Sequence, residues 1–234
     1  HLAVRRQRQM CIRDRFKSKE VVKLPHNISL LGKTYDNAEV EEAIADTNYQ
    51  KYDDFEELCE DVAKLLADNK IIGWFQNRSE FGPRALGSRS ILMNPTPAKN
   101  KDTINKRIKH REEWRPFAGI MLEEYQEDYF MEAYPNEYML YSLVVRPHQR
   151  RKLGAITHKD FSCRIQTVNK DLHPEATTLL QKYNEITKIP VLLNTSFNDN
   201  GQPIIETPKD AVETFNKIDL DFLVINNFLI TKNK

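Results

Sequence analysis

From residue 53 onward, short apolar runs alternate with segments whose apolar residues recur every three or four positions. The runs 71–75 and 189–193 are bounded by polar residues and predict buried strands. Ahead of the first run, the spacing of Phe55, Leu58 and Val62 predicts an amphipathic helix. Because this alternation continues to about residue 230, the pattern predicts an α/β domain with a mixed, twisted, open sheet and flanking helices.

The other elements follow from the same two patterns, apolar runs for strands and apolar residues three or four positions apart for helices. Further helices are predicted over residues 101–109, 123–130 and 174–187, and from Pro208 onward behind a Thr207 cap. Further strands are predicted over residues 88–93, 117–122, 138–146, 164–168 and 222–225. Residues 18–52 are mixed and polar and are interpreted as a connector with little core of its own, which leaves 53–234 as the folded domain.

The first 17 residues, HLAVRRQRQMCIRDRFK, show neither the strand pattern nor the helix pattern. Residues 1–19 hold seven Lys or Arg residues against the single acid Asp14. Two interpretations stay open. One is a basic arm for nucleic acid, and the other is a non-native or disordered tail, since the string resembles a translated sequencing-adapter artefact. The second interpretation implies that the chain is truncated and that a larger N-terminal part belongs before it.

Charge is unevenly distributed in a chain whose formal net charge is only +1. Residues 78–115 hold ten Lys or Arg residues against four acids, a surplus of six positive charges. A basic island in an otherwise acidic body favours a small anionic ligand over an extended nucleic-acid face. A non-catalytic RNA- or nucleotide-binding module is the alternative hypothesis, and nucleic acid is the less favoured partner.

The basic island begins in a loop rich in arginine, glycine and proline, RSEFGPRALGSRS, which follows the run 71–75. Guanidinium groups keep their charge and bind phosphate or carboxylate oxygens two at a time. The candidate anion ligands from this loop and from later strands and loops are Arg84, Arg89, Lys109, Arg111, Arg164, Asn194, Ser196 and Asn198. Any one of these arginines could instead be a structural partner of a carboxylate such as Glu80.

Other chemistries find little support in the sequence. The patterns G-x-x-x-x-G-K-[ST] and G-x-G-x-x-G are absent, and the six histidines show no H-x-x-x-H spacing, so no metal site is predicted. Three cysteines without a C-x-x-C pair indicate reduced thiols and a cytoplasmic setting. No apolar run approaches the roughly 20 residues that span a bilayer. Ser196 is interpreted as a hydrogen-bond donor to a phosphate rather than as a nucleophile.

Four strings carry a resemblance to a known family: EFGPRALGSRSIL, IKHREEWRPFA, RIQTV and VLLNTSFNDNGQPIIETPKDA. Over about residues 30–230 the chain resembles the C-terminal domain of the carbamoyltransferases that modify antibiotics and nodulation factors. The resemblance implies a YrdC-like α/β fold whose concave face binds ATP and carbamoyl phosphate. It also implies formation of a carbamoyl-adenylate with release of pyrophosphate.

In that family the carbamoyl group passes to an acceptor hydroxyl in a separate N-terminal domain, which resembles actin-like ATPases and holds an iron-type metal through histidines. The resemblance therefore implies that this chain is part of a larger enzyme. Its partners would be small-molecule substrates and the N-terminal transfer domain. Mg²⁺ is expected with ATP, bound largely through phosphate oxygens and water.

Residue by residue, the resemblance places Arg84, Arg89, Lys109 and Arg111 at phosphate-binding positions and Arg164 at a ligand-facing position. Asn194, Ser196 and Asn198 fall in the loop that would bind the nucleotide phosphates or the carbamoyl group. The implied catalytic set is Arg84, Lys109, Arg111, Arg164 and Ser196. The sequence departs from the family pattern at Asn77, where glycine is common, and at Ser88, where asparagine is common.

Overall fold

The computed structural model describes residues 29–112 and 114–232, so the interpretations of residues 1–17 lie outside the described residues. The α-helices of the described residues are α1 (Asn37–Ile44), α2 (Phe55–Ala67), α3 (Lys99–Ile104), α4 (Gln126–Tyr129), α5 (Pro174–Thr187) and α6 (Pro208–Lys217). The strands are β1 (Asn48–Lys51), β2 (Ile72–Phe75), β3 (Arg89–Met93), β4 (Ala118–Leu122), β5 (Ser142–Val144), β6 (Ser162–Val168), β7 (Val191–Ser196), β8 (Phe222–Ile225) and β9 (Phe228–Thr231). A π-helical turn, Asn105–Lys109, continues α3.

Throughout the described residues the strands form one open nine-stranded sheet in the order β1-β9-β8-β2-β3-β7-β4-β6-β5. β2 runs parallel to β8, and β4 runs parallel to β6. The other neighbouring pairs are antiparallel. The mixed α/β sheet predicted from the hydrophobic pattern is confirmed.

One edge of the sheet collects the segments that carry the candidate ligands. β7 is antiparallel to both β3 and β4, so its carboxyl end lies beside the amino ends of these two neighbours. Asn194 accordingly pairs with Ala118, and Ser196 pairs with Ser90. β6 is parallel to β4 and starts at the same edge. The loop of residues 76–88, which joins β2 to β3, turns there as well.

Packing of helices on this sheet agrees with the predicted apolar faces. α2 packs against α5, and α1 packs against α6. α5 and β8 have the predicted bounds at both ends. α6 begins as predicted, because the Thr207 hydroxyl accepts the Asp210 N–H at 3.1 Å and the Asp210 carboxylate accepts the Thr207 N–H at 2.9 Å. This reciprocal pair is a capping box.

Residues 37–51 differ from the interpretation as a connector with little core. They form α1, whose Val40 and Ile44 are fully buried, and β1, which pairs with β9 at one end of the sheet. All four residues of β1 are exposed, so the strand has no apolar alternation, and its position comes from backbone pairing with β9. The predicted set of strands lacks β1 for this reason, and it also lacks β9, although the first three residues of β9 are buried.

Three other elements are shorter or less regular than predicted, and in the helix predicted over 123–130 only Gln126–Tyr129 is α-helical, after a 3-10 turn at Glu123–Tyr125. The strand predicted over 138–146 is reduced to β5, because the chain turns at Met139, whose backbone is left-handed with a φ of 53°. The Asn136 side chain supports this turn by donating to the carbonyl oxygens of Tyr141 and Ile165. The helix predicted over 101–109 is regular only to Ile104 and then widens into the π-turn.

Candidate anion-binding site

The loop of residues 76–88, called here the arginine loop, is folded around the Glu80 carboxylate. Glu80 Oε1 accepts hydrogen bonds from the backbone N–H groups of Leu86, Ser88 and Arg89 at 2.7, 2.8 and 3.1 Å. The loop also requires a left-handed backbone at Gly87, where φ is 92° and glycine pays no steric penalty. Glu80 thus holds the loop backbone in place, a role that the sequence alone does not reveal.

Asn77, one of the departures from the family pattern, has a φ of 50°. Glycine adopts this conformation freely, and asparagine is among the few other residues that visit it. The Asn77 Oδ1 accepts the Arg78 N–H at 2.9 Å, which is the local bond that makes asparagine acceptable there. Arg78 itself is exposed and does not line the cleft described below.

Arg89 does not reach a ligand-accessible surface, contrary to its prediction as a phosphate ligand. Its side chain is fully buried, and Nη1 donates to the carbonyl oxygens of Gln76 and Ser88 at 2.7 and 3.2 Å. Nη2 donates to the Asn77 carbonyl oxygen at 3.1 Å, and the guanidinium carbon lies 3.4 Å from the centre of the Phe75 ring. Burial lowers the pKa of Arg89 to about 10, against the opposing charge of Glu80. Arg89 therefore fastens the base of the arginine loop.

Five predicted ligands line one cleft of about 160 Å³: Arg84, Arg111, Arg164, Asn194 and Ser196. The three arginines come from separate segments: the arginine loop, the chain after the π-turn, and β6. Within residues 29–112 and 114–232, none of the ion pairs involves any of these three. The cleft therefore presents three guanidinium groups that form no ion pair with a carboxylate of the described residues.

The wall of the cleft holds Arg111 in place. Its Nε donates to Asn105 Oδ1 at 3.1 Å, and its guanidinium carbon lies 4.6 Å from the centre of the Phe117 ring. Phe117 and Met139 line the cleft beside the arginines and reduce its contact with water. No motif or spacing in the sequence marked Asn105, Phe117 or Met139 as site residues. For Phe117, the available signal was its position directly after Arg115 and Pro116 in the family string IKHREEWRPFA.

Lys109 lies behind the cleft and is hydrogen-bonded to the loop that follows β7. Its Nζ is 2.7 Å from the Ser196 carbonyl oxygen, 3.0 Å from the Asn198 carbonyl oxygen and 2.7 Å from Asn198 Oδ1. The Ser196 hydroxyl donates to the same Asn198 Oδ1 at 2.7 Å. Lys109 and Asn198 thus do not line the cleft themselves, but both fix the position of Ser196, which does.

Burial and mutual repulsion shape the electrostatics of the cluster. Burial lowers the pKa of Arg164, and the positive charges of Arg84 and Arg111 lower it further. Burial also lowers the pKa of Lys109 to about 7, with a second contribution from the charge of Arg111. The cost of holding these like charges together falls when an anion lies between them. The site is therefore electrostatically prepared for an anion.

A larger cavity of about 490 Å³ opens at the opposite edge of the sheet, beside Glu123, Glu124 and Glu127. Its acidic lining repels anions, so the smaller basic cleft is the better candidate for phosphate chemistry. In the described part of the chain, no group of three or more His, Cys, Asp or Glu side chains is placed to hold a metal ion. None of the helices there combines the length and apolar character needed to traverse a bilayer.

An open α/β sheet with a basic, carboxylate-free cleft at its loop-bearing edge is suited to binding small anions such as phosphates. The comparison with protein families is more specific. Residues 63–232 match the family described as Carbamoyltransferase C-terminus, and the chain belongs to that family.

Two curated relatives are nodulation proteins. The chain is 45% identical over 185 residues to nodulation protein NolNO of Sinorhizobium fredii, covering 75% of this chain and 27% of the relative. It is 43% identical over 182 residues to nodulation protein NolO of Bradyrhizobium diazoefficiens, covering 76% of this chain and 33% of the relative. The chain thus spans about a third or less of the length of these two relatives.

Among solved structures, the fold is similar to that of full-length HypF, crystallised in a phosphate- and nucleotide-bound form. The TM-score is 0.50 at 16% sequence identity, over 79% of this chain and 23% of HypF. The similarity is one of fold, and the predicted YrdC-like α/β architecture is confirmed.

Proposed function

We propose that this domain binds ATP and carbamoyl phosphate and forms a carbamoyl-adenylate. The observation that carries the proposal is the convergence of Arg84, Arg111 and Arg164 on one cleft without a carboxylate partner in the described residues. Both substrates are polyanions, and fixed guanidinium groups bind phosphate oxygens through paired N–H donors. Membership of a carbamoyltransferase family supports the same assignment.

The chemistry needs positioning and charge neutralisation more than it needs a protein nucleophile. Water cleaves carbamoyl phosphate to carbamate and inorganic phosphate. A carbamate oxygen then attacks the α-phosphorus of ATP, the bond to the bridging oxygen breaks, and pyrophosphate leaves. Negative charge develops on phosphate oxygens in both steps, and preorganised cations stabilise it without reorganisation. Arg84, Arg111 and Arg164 would perform this function, and the Ser196 hydroxyl would donate to the same anion after rotating away from Asn198 Oδ1.

The size of the cleft limits what it can enclose. Pockets that enclose drug-sized ligands have volumes of roughly 300–1,000 Å³, and this cleft has about 160 Å³. It therefore suits carbamoyl phosphate or a part of the ATP triphosphate, while the nucleoside would lie outside its mouth. Mg²⁺ would accompany ATP through phosphate oxygens and water rather than through carboxylates of this domain. That the HypF crystal contained phosphate and nucleotide fits this use of the fold.

The carbamoyl group would then pass to an acceptor hydroxyl in an N-terminal transfer domain that carries its own iron-type metal. The support is that the relatives are about three to four times as long as their match to this chain. The two substrates are metabolites of the cytoplasm, and the buried, unpaired thiols of Cys59 and Cys163 suit that compartment.

Calorimetric titration of the chain with carbamoyl phosphate and with Mg·ATP tests the proposal, together with a pyrophosphate-release assay. We expect both ligands to bind, and pyrophosphate to appear only when both are present. Arg164→Gln should weaken binding at least tenfold, whereas Arg151→Gln, an exposed arginine outside the cleft, should leave it unchanged. A folded chain that binds neither ligand would overturn the proposal.

A further inference from the structure

A second pocket opens where two parallel strands end. β2 and β8 run side by side in the sheet, with Phe75 opposite Ile225, and each continues into a pair of amide residues. These pairs, residues 76–77 and 226–227, line a pocket of about 450 Å³ that is called here the amide pocket. Of the residues that the structure describes, none lines both this pocket and the basic cleft. The crevice outside the carboxyl ends of parallel strands is where open α/β sheets commonly hold ligands.

The amides of the pocket have fixed positions. Asn77 and Asn226 both have left-handed backbones, with φ values of 50° and 47°. Gln76 Nε2 donates to the Asn226 carbonyl oxygen at 2.9 Å, which joins the two strand ends. Asn226 Nδ2 donates to the Tyr35 carbonyl oxygen at 3.0 Å and to Asn37 Oδ1 at 3.3 Å. Uncommon backbone conformations that the surrounding structure holds in this way cluster at ligand sites.

Two aromatic rings give the pocket an apolar wall. Tyr35 and Phe55 line the pocket, and both side chains keep accessible surface. Each packs on a fully buried ring beneath it: the ring centroids of Tyr35 and Phe75 are 5.9 Å apart, and those of Phe55 and Trp74 are 6.2 Å apart. These contacts hold both rings in place at the surface of the pocket.

The amide pocket carries little charge, in contrast with the basic cleft. Glu175, near the start of α5, is the one lining side chain among the described residues that is ionised at neutral pH, and none of the ion pairs there involves it. An anion would find no cation to pair with. Four lining asparagines keep accessible surface, Asn37, Asn77, Asn226 and Asn227. Because each amide offers donors and an acceptor together, the matching ligand is uncharged and carries several groups that both donate and accept.

We propose that the amide pocket binds a neutral sugar ring. Hydroxyl groups both donate and accept, so they match the amides, and they donate to the Glu175 carboxylate, which can only accept. The C–H face of a pyranose ring is apolar and fits against Tyr35 or Phe55. The volume of about 450 Å³ lies within the range of small-molecule sites, roughly 300–1,000 Å³. A purine base would stack on the same rings, but it has no hydroxyl groups to pair with the amides.

Protein-observed NMR on the intact chain tests this site. The labelled chain is titrated with the methyl glycosides of glucose, galactose and mannose, and with 2-methoxytetrahydropyran, which keeps the ring and the methoxy group but has no hydroxyls. We expect at least one glycoside to shift the side-chain amide signals of Asn37 and Asn226 saturably, with a Kd of roughly 1 mM. The ring without hydroxyls should bind at least about tenfold more weakly.

A double variant locates the bound sugar. Asn77→Gly with Asn226→Gly removes two amides from the pocket and keeps the backbone, because glycine adopts left-handed conformations freely. We expect the affinity to fall about tenfold or more, since each lost hydrogen bond costs roughly two- to tenfold. Asn69→Gly is the matched control, because it makes the same change at a left-handed asparagine outside the pocket, where φ is 62°. It should leave the affinity unchanged.

Several outcomes would overturn the proposal. These are no saturable shift with any of the three glycosides, equal binding of the ring without hydroxyls, or an unchanged affinity in the double variant. Saturable shifts with 9-methyladenine and none with the glycosides would identify a nucleobase site instead. If circular dichroism shows that the double variant is unfolded, the wild-type comparison between glycoside and hydroxyl-free ring decides. The proposed function stands or falls separately, because carbamoyl phosphate and Mg·ATP are tested at the basic cleft.

Discussion

Lys109 Nζ lies 2.7 Å from the carbonyl oxygen of Ser196, the residue at which β7 ends beside the cleft. No acid of the described residues forms an ion pair with this lysine, and it is almost completely buried. Its charge is therefore sensitive to pH in a range where the other cations of the cluster keep theirs. This makes Lys109 the group through which pH should act on the site.

Anion binding should weaken as pH rises through the pKa of Lys109, which burial lowers to about 7. Sulfate is a suitable ligand because its own charge is constant over this range. We expect its affinity to fall roughly fivefold, about 1 kcal/mol, between pH 6 and pH 8.5 as one nearby positive charge is lost. In Lys109→Met the affinity should be lower and independent of pH. A wild-type curve as flat as that of the variant would show that Lys109 does not titrate here.

The free energy of unfolding should change in the opposite direction. The unfolded lysine keeps its proton up to about pH 10.4, whereas the folded one loses it near pH 7. Between these values the unfolded state binds more protons, so stability contributed by this site rises with pH. Urea unfolding of wild type and Lys109→Met at pH 7 and pH 9 measures this. The wild type should gain stability relative to the variant at the higher pH.

Replacing Arg89 should destabilise the protein rather than selectively weaken ligand binding. Arg89→Met removes the donors to the Gln76, Ser88 and Asn77 carbonyl oxygens inside the protein. We expect a loss of about 3 kcal/mol or more in urea unfolding, because buried acceptors without partners are costly. Arg84→Gln, at the half-buried guanidinium in the cleft, is the matched control and should change stability by less than about 0.5 kcal/mol. Equal effects of the two substitutions would contradict the buried structural role.

Glu80→Gln should loosen the arginine loop without unfolding the domain. The substitution removes the charge from an acceptor that serves the N–H groups of Leu86, Ser88 and Arg89. Charge-assisted bonds are roughly twice as strong as neutral ones, so we expect a loss of about 1–2 kcal/mol. Hydrogen exchange of those three amides should accelerate. Glu132→Gln, at an exposed carboxylate, should leave their exchange rates unchanged; unchanged rates in Glu80→Gln would refute the role of Glu80.

Gly119→Ala should lower the free energy of unfolding more than Gly201→Ala, and the two substitutions act through different physical causes. A Cβ on Gly119 would lie 2.5 Å from Ile165 Cδ1 and 2.7 Å from Ile156 Cδ1, so neighbours must move. We expect a loss of about 1–3 kcal/mol from this overpacking. Gly201 has open space around it but a φ of 77°, so alanine there costs backbone strain alone, about 1 kcal/mol. Partial recovery of stability in Gly119→Ala with Ile156→Val, measured by urea unfolding, would confirm the clash as the cause.

Two elements that the sequence predicted well carry one apolar face or one apolar run with clear polar ends. α5 carries one apolar face beginning at Pro174, and β8 is an apolar run between polar ends, so both had the predicted bounds. β1 was not predicted, because all its residues are exposed. The strand forms through its pairing with β9, almost 180 residues further along the chain. Long-range pairing of this kind leaves no periodic trace in the segment itself.

For the site, residue types and family strings indicated a set of candidate side chains, but not which of them line the cleft. Arg84 lies in the arginine loop and Arg89 lies five positions later, at the start of β3, yet Arg84 lines the cleft and Arg89 is fully buried. The difference depends on how the loop turns around Glu80 and on the ring of Phe75, neither of which follows from spacing.

The direction of Lys109 depends on the π-turn of Asn105–Lys109. A π-turn accommodates one more residue than an α-helical turn, and each residue of an α-helix rotates a side chain by about 100°. With the same residues in a regular α-helical turn, Lys109 would be rotated by roughly 100° around the helix axis and would point away from Ser196. A substitution that favours a regular helix at this turn would therefore displace Lys109 although every residue that lines the cleft is kept.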